Sequence, residues 1–259
     1  MKIGITERGD AGLDYNWVRY VESNFVDGAI LITKNINPRF VKEVIRLHTL
    51  GKKLIVHCTC TGWGNTVMEP NVPDINTQLC GLQQLIKNGF PKENCVLRID
   101  PIFPTDNGLC AVTNVIDRAY NLGLLPDMRI RISIYDEYNH VKERIKACGL
   151  APMYGSQFYA PAFMVQNTKA YLRTLKSQYN LNKFETCAEK NLNDTTLFLQ
   201  TGCVSGKDLL AMGFSNFDIN VLTTNPQNRT GCKCLSCKTE LLTNRHRCPH
   251  QCMYCYWKD

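Results

Sequence analysis

Short apolar segments alternate with longer amphipathic segments along most of this chain, and this pattern constrains its fold more than any other feature. The apolar segments are rich in β-branched residues and end in polar ones, as buried strands do. They span residues 3–6, 29–33, 54–59, 96–100, 130–135 and 184–187. Between them, apolar residues recur at helical spacing, for example after Pro38 and after Asp74, a residue that can cap a helix.

Strand–helix units that repeat about every 25–40 residues predict a parallel α/β fold, closed completely or partly into a (β/α) barrel of the TIM type. A doubly wound open sheet is the alternative. No glycine-rich dinucleotide loop follows any of the apolar segments, which counts against that alternative.

A length of 259 residues accommodates one barrel-sized domain and a small appendage. We assign residues 1–225 to the barrel domain. From residue 226 to residue 259, cysteines replace hydrophobic periodicity, and six of the 14 cysteines lie from residue 232 onward. We therefore interpret 226–259 as a cysteine-rich tail that binds a metal cluster and packs on the barrel mouth.

A chain of this size does not need disulfides to fold. Its cysteines therefore favour the reducing cytoplasm, where they indicate metal binding or catalysis. No apolar run reaches the roughly 18 residues of a membrane span, and no signal peptide is recognisable at residues 1–8. We expect a cytoplasmic protein without a membrane partner.

Polar and charged residues follow five successive predicted strands. Chemistry in parallel barrels collects at such strand ends, so the pattern predicts a shared, charged pocket. The strongest candidates lie in or beside apolar runs, where a buried charge needs a partner. They are Lys34, Glu69, Arg98 and Asp100. The alternative for each of them is a helix cap or an ion pair at the rim.

The cysteine spacings of the tail fit two kinds of metal site. Cys234-x2-Cys237 followed by Cys252-x2-Cys255 resembles a zinc ribbon, in which four thiolates bind one ion. Cys248-x3-Cys252-x2-Cys255 instead fits three irons of a 4Fe-4S cluster, whose fourth iron would remain open to an exchangeable ligand. The zinc-ribbon interpretation leaves two other cysteines of the tail, Cys232 and Cys248, without a role.

The run from Cys248 to Tyr256 resembles the radical S-adenosylmethionine (radical SAM) signature, in particular that of the spore-photoproduct-lyase-like branch. Three further segments are similar, in order, to the Thr-Lys, Glu-Pro and Asp-Pro-Ile motifs of that branch: residues 32–35, 68–73 and 97–104. The resemblance is strongest to the DUF1848 family, which places its cysteine signature at the C-terminus. Ordinary radical SAM enzymes carry the signature after the first strand, and a circular permutation would explain the difference.

The resemblance implies a set of cluster ligands and cofactor contacts. Cys248, Cys252 and Cys255 would bind the cluster, and its open iron would hold the amino and carboxylate groups of S-adenosylmethionine (SAM). Tyr254 would lie near the adenine, and Lys34 would pair with the SAM carboxylate. The complete set of implied cofactor-binding residues is Thr33, Lys34, Asn35, Thr59, Glu69, Arg98, Asp100 and Tyr254. Arg98 and Asp100 could instead pair with each other.

The resemblance also implies a second, fully ligated cluster, because the related family has a similar set of four further cysteines. They are Cys187, Cys203, Cys232 and Cys234. The alternative is that Cys187 and Cys203 are small buried residues. The cysteines in or beside apolar segments are predicted to be core residues. They are Cys58, Cys60, Cys80, Cys95, Cys110 and Cys148.

The implied function is that of a radical SAM enzyme, in which a reduced cluster cleaves SAM and the resulting 5′-deoxyadenosyl radical abstracts a hydrogen atom from a substrate. The partners would be an electron donor such as flavodoxin or ferredoxin and a substrate, for which a nucleic acid to be repaired or modified is the first candidate and a peptide or a small molecule are the alternatives. The net charge of +7 is compatible with a nucleic-acid substrate, as are the basic residues of the tail: Lys233, Lys238, Arg245, His246 and Arg247. The alternative function is a non-redox, zinc-ribbon-containing α/β protein that binds nucleic acid or a protein partner.

Overall fold

Eight parallel strands form one sheet in the computed structural model, which describes residues 1–181, 184–187, 192, 197–224, 232–243 and 248–256. The strands are β1 (Ile3–Ile5), β2 (Gly28–Thr33), β3 (Leu54–Thr59), β4 (Cys95–Ile102), β5 (Arg129–Ile134), β6 (Phe184–Cys187), β7 (Phe198–Thr201) and β8 (Lys238–Glu240). Their order across the sheet is β7-β6-β5-β4-β3-β2-β1-β8. Every one of these pairings is parallel.

Helices connect most of the strands. They are α1 (Asn16–Glu22), α2 (Pro38–Thr49), α3 (Ile75–Lys87), α4 (Asp106–Asn121), α5 (Asn139–Ala147), α6 (Ala162–Tyr179), α7 (Gly206–Ala211) and α8 (Asn216–Asn220), with a short 3-10 helix at Lys92–Asn94. In the part of the chain that the structure describes, no helix is both long and apolar enough to cross a membrane.

Side-chain caps set where the central helices begin. The side chain of Asn37 accepts the backbone N–H of Phe40 at 3.0 Å, and Pro38 occupies the first turn of α2, where its missing N–H is not needed. Asp74 accepts the N–H of Thr77 at 3.0 Å in the same way at the start of α3. The capping role predicted for Asp74 is therefore confirmed.

The strand order shows how the sheet closes. From β1 to β7 each strand lies beside its predecessor, so the strand order does not reverse among them. A doubly wound sheet requires such a reversal. The sheet curls into a half-barrel, and among the described residues its two edge strands, β7 and β8, do not pair with each other. The predicted parallel α/β barrel is confirmed in its partial form, and the doubly wound alternative is wrong.

Apolar side chains cover both faces of the sheet. The outer face packs against the helices through a large cluster that includes Trp17, Phe40 and Leu82, all fully buried. The inner face carries a smaller cluster, in which strand residues such as Ile30 meet Leu209 of α7. Because both faces are covered, β2 and β3 are buried along their entire length, and their sequences read as continuous apolar runs.

A buried ionic network crosses the inner face below the strand ends. The Arg131 guanidinium lies 2.6 Å from a Glu185 carboxylate oxygen and 3.2 Å from Asp208 of α7. The neighbouring His57 is fully buried, and its Nε2 lies 3.4 Å from Nη1 of Arg131. The same nitrogen lies 3.7 Å from Oδ1 of Asp208. Burial is the main cause that lowers the pKa of His57 from 6.5 to about 4; Asp208 opposes this shift and the arginine charges add to it.

The six predicted strands all exist, with ends that move by one or two residues, whereas β7 and β8 were not predicted. β8 falls within 226–259 and pairs with β1, Ile3 opposite Lys238. That segment therefore contributes a strand to the sheet as well as loops. Residues 226–231, 244–247 and 257–259 of this segment lie outside the described residues.

The cysteines predicted to be core residues divide into three groups by their burial. Cys58, Cys60 and Cys95 are fully buried, as predicted. The prediction is wrong for Cys110 and Cys148, which are exposed because they fall on the solvent side of α4 and at the end of α5. Cys80 is half-buried.

Candidate functional site

The carboxyl ends of the strands surround a cavity of about 600 Å³. Parallel strands place these ends at one edge, so the loops that follow them converge there. Polar side chains from the ends of β1, β2, β3 and β5 and from β4 itself all reach the cavity, in agreement with the pattern of polar strand ends in the sequence. Residues 248–256, which we call the cysteine loop, complete its wall.

The structure brings all the predicted site residues to this cavity except Asn35 and Glu69. Those that line it are Thr33, Lys34, Thr59, Arg98, Asp100, Cys187, Cys203, Cys232, Cys234, Cys248, Cys252, Tyr254 and Cys255. Asn35 belongs to the turn after β2, where its backbone N–H donates to the Thr33 hydroxyl at 2.8 Å. Glu69 does not line the cavity itself but contacts Lys34 and Tyr254, which do.

Glu69 holds two of the lining residues together. Its Oε1 lies 2.7 Å from Nζ of Lys34 and also accepts the hydroxyl of Tyr254. Burial raises the pKa of Glu69, but the Lys34 charge opposes this and the net shift is downward. Burial lowers the pKa of Lys34, but Glu69 outweighs it and raises that pKa overall. The pair is therefore ionised, and it places one ammonium beside the thiol of Cys252.

The backbone of the cysteine loop is fixed by hydrogen bonds to two other segments, residues 68–71 and helix α5. The Met253 N–H donates to the Met68 carbonyl at 2.9 Å. Arg144 of α5 donates to the Met253 carbonyl at 2.6 Å and to the Cys255 carbonyl at 3.1 Å. The side chain of Asn71 donates to the Pro249 carbonyl at 2.7 Å. These contacts hold the backbone of the loop and leave the three thiols on the cavity side.

Burial makes two of these thiols, those of Cys248 and Cys252, hard to ionise on their own. It raises the pKa of Cys248 to about 11 and that of Cys252 to about 12. A thiol with such a pKa is protonated near neutral pH and becomes a thiolate when a positive charge replaces the proton. A metal centre supplies such a charge, and binding it would release protons.

A second group of thiols lies across the same cavity, and we call it the second thiol group: Cys187, Cys203, Cys232 and Cys234. The Sγ atoms of Cys187 and Cys203 are 3.5 Å apart, and the Cys203 N–H donates to Sγ of Cys234 at 3.2 Å. Hydrogen bonds from Cys187 and Cys234 lower the pKa of the Cys203 thiol.

Gly202 allows the two segments of the second thiol group to approach each other. A Cβ at this position would lie 2.6 Å from the backbone nitrogen of Cys234, a distance that real Cβ atoms do not adopt. Only glycine therefore fits here without moving one segment.

Two ion pairs lie on the cavity wall between the two sets of thiols. Arg98 pairs with Asp100 two residues later on β4, so these residues hold each other, as one of the two sequence interpretations has it. Lys238 pairs with Glu7. Burial lowers the pKa of Lys238, but Glu7 outweighs it and raises that pKa. Lys238 is therefore part of an internal ion pair rather than of a solvated basic surface, whereas Arg245, His246 and Arg247 lie outside the described residues.

Tyrosines form the remaining wall. Tyr138 and Tyr256 both line the cavity, and their rings stack at 5.3 Å with an angle of 17° between their planes. Tyr254 packs edge-on against Phe103 with 5.4 Å between ring centroids. The tyrosine wall was not predicted as a unit, because its members come from the segments after β5 and from the cysteine loop.

The sequence interpretation also missed the pairing of Asp10 with His250. Their side chains meet at 2.8 Å and are almost completely buried. Burial raises the pKa of Asp10, but His250 and neighbouring donors outweigh it and lower that pKa. Both residues lie in segments that the sequence had singled out, a polar strand end and the cysteine run, yet nothing in the sequence connects them.

The donor set of the cavity fits an iron–sulfur cluster and a charged organic cofactor. Thiolates are the usual protein ligands of such clusters. Two buried atoms on the wall, Oγ1 of Thr59 and Nε of Arg98, have no hydrogen-bond partner among the described residues, and a polar ligand would satisfy them. Over the same described ranges, no three histidine, cysteine, aspartate or glutamate side chains are grouped to bind a single metal ion. A multi-iron cluster does not need that grouping, because each thiolate binds a different iron.

Fold and site together define an α/β protein in which a parallel half-barrel presents seven cysteines to one cavity at the carboxyl edge of its sheet. The chain belongs to the DUF1848 family, a domain of unknown function, whose model matches residues 13–257. No curated protein matches the chain.

Proposed function

We propose that this protein is a radical SAM enzyme whose cluster is bound by Cys248, Cys252 and Cys255. One observation carries the proposal: these three thiols line a cavity at the carboxyl edge of a parallel half-barrel, beside an ionised lysine and opposite four further thiols. Barrel enzymes place their chemistry at this edge. The half-barrel thus supports the role that the C-x3-C-x2-C spacing implies.

When bound, a 4Fe-4S cluster with an open iron would supply the reductive cleavage of SAM and the radical that abstracts a hydrogen atom from the substrate. The residues of the chain would bind and orient the cofactor around it. Lys34 donates one of its three N–H groups to Glu69, and the others are suited to the SAM carboxylate. The hydroxyl of Thr59 and Nε of Arg98 would meet polar groups of the cofactor.

The tyrosine wall would serve the reaction by excluding water and by fixing flat groups. Tyr254 forms part of the wall beside the cysteine loop and its hydroxyl is held by Glu69, so its ring is positioned to face an adenine. A reactive radical must be kept from solvent, and a closed apolar wall reduces such side reactions.

The second thiol group would bind a second, fully ligated cluster, which makes the cofactors two 4Fe-4S clusters and SAM. The thiols of Cys187 and Cys203 are in contact, the thiol of Cys234 accepts the Cys203 N–H, and all four line the cavity. The cations of Arg98 and Lys238 lie beside Cys203 and lower its pKa, and they would partly offset the negative charge of four thiolates.

The partners of the enzyme would be a low-potential electron donor such as flavodoxin or ferredoxin and, as substrate, a nucleic acid. The basic character of the chain supports a polyanionic substrate, although Lys238 is committed to Glu7. A gel shift with single- and double-stranded oligonucleotides, measured at increasing salt, tests this part. Binding through phosphates weakens steeply as salt rises.

Anaerobic purification with iron and sulfide reconstitution tests the central proposal. We expect a brown protein that contains iron and sulfide and cleaves SAM to methionine and 5′-deoxyadenosine on reduction with dithionite. Cys248→Ala is expected to abolish cleavage. Cys110→Ala, which changes an exposed cysteine of α4 outside the cavity, is the matched control and should retain it. A colourless protein that holds zinc and no iron would overturn the proposal and favour the zinc-ribbon alternative.

A further inference from the structure

A layer of buried charged side chains lies directly below the floor of the cavity. Residues two positions apart on a strand point to the same face of a sheet. Arg131 precedes Ser133 on β5 by this interval, and Glu185 precedes Cys187 on β6. Ser133 and Cys187 line the cavity, so each of these charged residues lies one step below a lining residue of its own strand.

Arg131 holds two acidic side chains that come from different segments. Its Nε and Nη2 donate to Oε2 of Glu185 at 3.1 and 2.6 Å. Its Nη1 and Nη2 also donate to the two carboxylate oxygens of Asp208 at 3.3 and 3.2 Å. A guanidinium is planar and offers its N–H groups in a fixed fork, so the two carboxylates are held in fixed positions relative to each other. All three side chains are at most 1% exposed, so water does not compete for these bonds.

Asp208 transmits this position to residues 202–205, which we call the β7–α7 turn. Oδ2 of Asp208 accepts the N–H and the hydroxyl of Ser205 at 3.1 and 2.8 Å. The Asp208 N–H donates back to that hydroxyl at 3.3 Å, which completes a capping box at the start of α7. Ser205 is two residues from Cys203, so the turn that carries this thiol is held from below.

The β7–α7 turn in its turn holds residues 232–235, the segment that carries Cys232 and Cys234. The Val204 carbonyl accepts the Leu235 N–H at 3.1 Å, and the Cys203 N–H donates to Sγ of Cys234 at 3.2 Å. The pairing of β6 with β7 ends at Thr201 and does not reach either segment. A displacement of the turn would therefore separate these two thiols from Cys187.

We propose that Arg131 is a positioning residue of the second thiol group: by holding Glu185 and Asp208 together, it fixes the β7–α7 turn at the level of Cys187 and so keeps Cys232 and Cys234 beside the other two thiols. This positioning role stands without the proposed function. Its consequence for metal binding rests on the second cluster of the proposed function.

Two substitutions in the full chain test the positioning role. Arg131→Met removes the guanidinium and keeps an unbranched apolar side chain. The matched control is Arg46→Met, because Arg46 also bridges two carboxylates, those of Glu22 and Glu43, at 2.7 Å each. Its bridge lies on the outer helices α1 and α2, away from the cavity.

The first measurement is amide hydrogen exchange in the metal-free, reduced protein, followed in peptides that cover residues 203–206 and 232–237. Hydrogen bonds to charged groups are stronger than neutral ones, so we expect exchange in both peptides to accelerate roughly tenfold or more in Arg131→Met. Exchange in a peptide from β2 should change by less than about threefold, as should exchange in all three peptides of Arg46→Met.

Two results of this measurement would overturn the positioning role. One is unchanged exchange in the two peptides of Arg131→Met. The other is an equal acceleration in the β2 peptide, because a residue that only stabilises the fold would loosen the whole sheet to the same extent.

The second measurement is the iron and sulfide content after anaerobic reconstitution. We expect Arg131→Met to bind about half as much of each as the wild type, because it retains the cluster of the cysteine loop and loses the other. The electron paramagnetic resonance signal of the retained cluster should still change when SAM is added. Arg46→Met should bind as much iron as the wild type.

Full iron content in Arg131→Met would overturn the consequence for metal binding. If the wild type binds the iron of one cluster only, or none, the second cluster of the proposed function fails and this consequence fails with it. Hydrogen exchange in the metal-free protein still decides the positioning role in that case.

If Arg131→Met does not fold, Ser205→Ala takes its place in the exchange measurement. This substitution removes the hydroxyl that joins the turn to Asp208 and leaves Arg131 and both carboxylates intact. Loss of a helix cap is a moderate change, so we expect exchange in the same two peptides to accelerate about fivefold. Unchanged exchange in Ser205→Ala would then overturn the positioning role.

Discussion

The Sγ atoms of Cys187 and Cys203 lie 3.5 Å apart, although sixteen positions separate these residues in the chain. Cys187 ends β6, and Cys203 follows β7, the neighbouring strand. Parallel pairing places the two strand ends at the same edge of the sheet, with Cys187 opposite Thr201, and this brings the thiols together. The contact is a consequence of topology and does not depend on what the cavity binds.

This contact predicts the outcome of oxidising the metal-free protein. A disulfide forms when a thiolate and a thiol approach closely, and the hydrogen bonds that lower the pKa of Cys203 favour its thiolate. We expect mild oxidation with diamide to link Cys187 to Cys203, as measured by mass spectrometry of a non-reduced digest. The exposed Cys110 and Cys148 serve as internal controls and should remain unlinked to each other. A dominant linkage of Cys203 to any other cysteine would contradict the prediction.

Gly202→Ala should destabilise the protein, because its Cβ would lie 2.6 Å from the Cys234 nitrogen and force apart two backbone segments. Overpacking of this kind costs roughly 1–3 kcal/mol of unfolding free energy. Gly206→Ala is the matched control, since a Cβ there meets only a methyl group of Ile219 at 3.4 Å. Urea denaturation of the two variants tests the difference. Equal stabilities would show that the close approach is absent in solution.

Lys34→Met should lower the free energy of unfolding more than the simultaneous removal of both charges of the Lys34–Glu69 pair. Glu69 is fully buried, and removing Lys34 would leave its charge without the ammonium partner. Breaking a buried pair from one side costs about 3–5 kcal/mol. The double variant Lys34→Met/Glu69→Gln should recover much of the unfolding free energy, as measured by denaturation of all four proteins of the cycle. Additive effects would contradict a direct interaction between the two side chains.

His57 predicts how stability depends on pH. Its pKa is lowered from 6.5 in the unfolded chain to about 4 in the folded protein. Between these values the unfolded state binds a proton that the folded state does not, so stability falls as the pH falls from 6.5 to 4. The loss from this residue amounts to roughly 3 kcal/mol. His57→Gln, which cannot titrate, should show a weaker dependence over this window in the metal-free protein. An unchanged slope would contradict the prediction.

The sheet was largely predictable, because its central strands are buried on both faces. Continuous apolar runs such as Gly28–Thr33 and Leu54–Thr59 mark such strands clearly. β8 could not be found in this way. It is three residues long, consists of Lys238, Thr239 and Glu240, and is half-buried, so no hydrophobic pattern marks it. It exists because β1 offers an edge to which it can pair.

The site was predictable as a set of residues but not as a set of pairs. The pattern of polar residues at the ends of buried strands indicated Thr33, Arg98 and Asp100, and all three line the cavity because topology alone brings the strand ends together. The contact between Asp10 and His250 joins residues 240 positions apart and depends on how the cysteine loop is seated. The sequence contains no signal for such a contact, since either residue alone fits a polar loop.

The cavity takes its walls from the earliest and the latest parts of the chain, from Glu7 to Tyr256. A chain emerges from the ribosome in order and folds largely in that order. The first strands can therefore pair before the cysteine loop has been synthesised. At that stage Asp10 lacks its partner, His250. A metal that binds all three thiols of the loop must arrive after synthesis has passed residue 255, so maturation of this site would come after the strands that form most of its wall have been made.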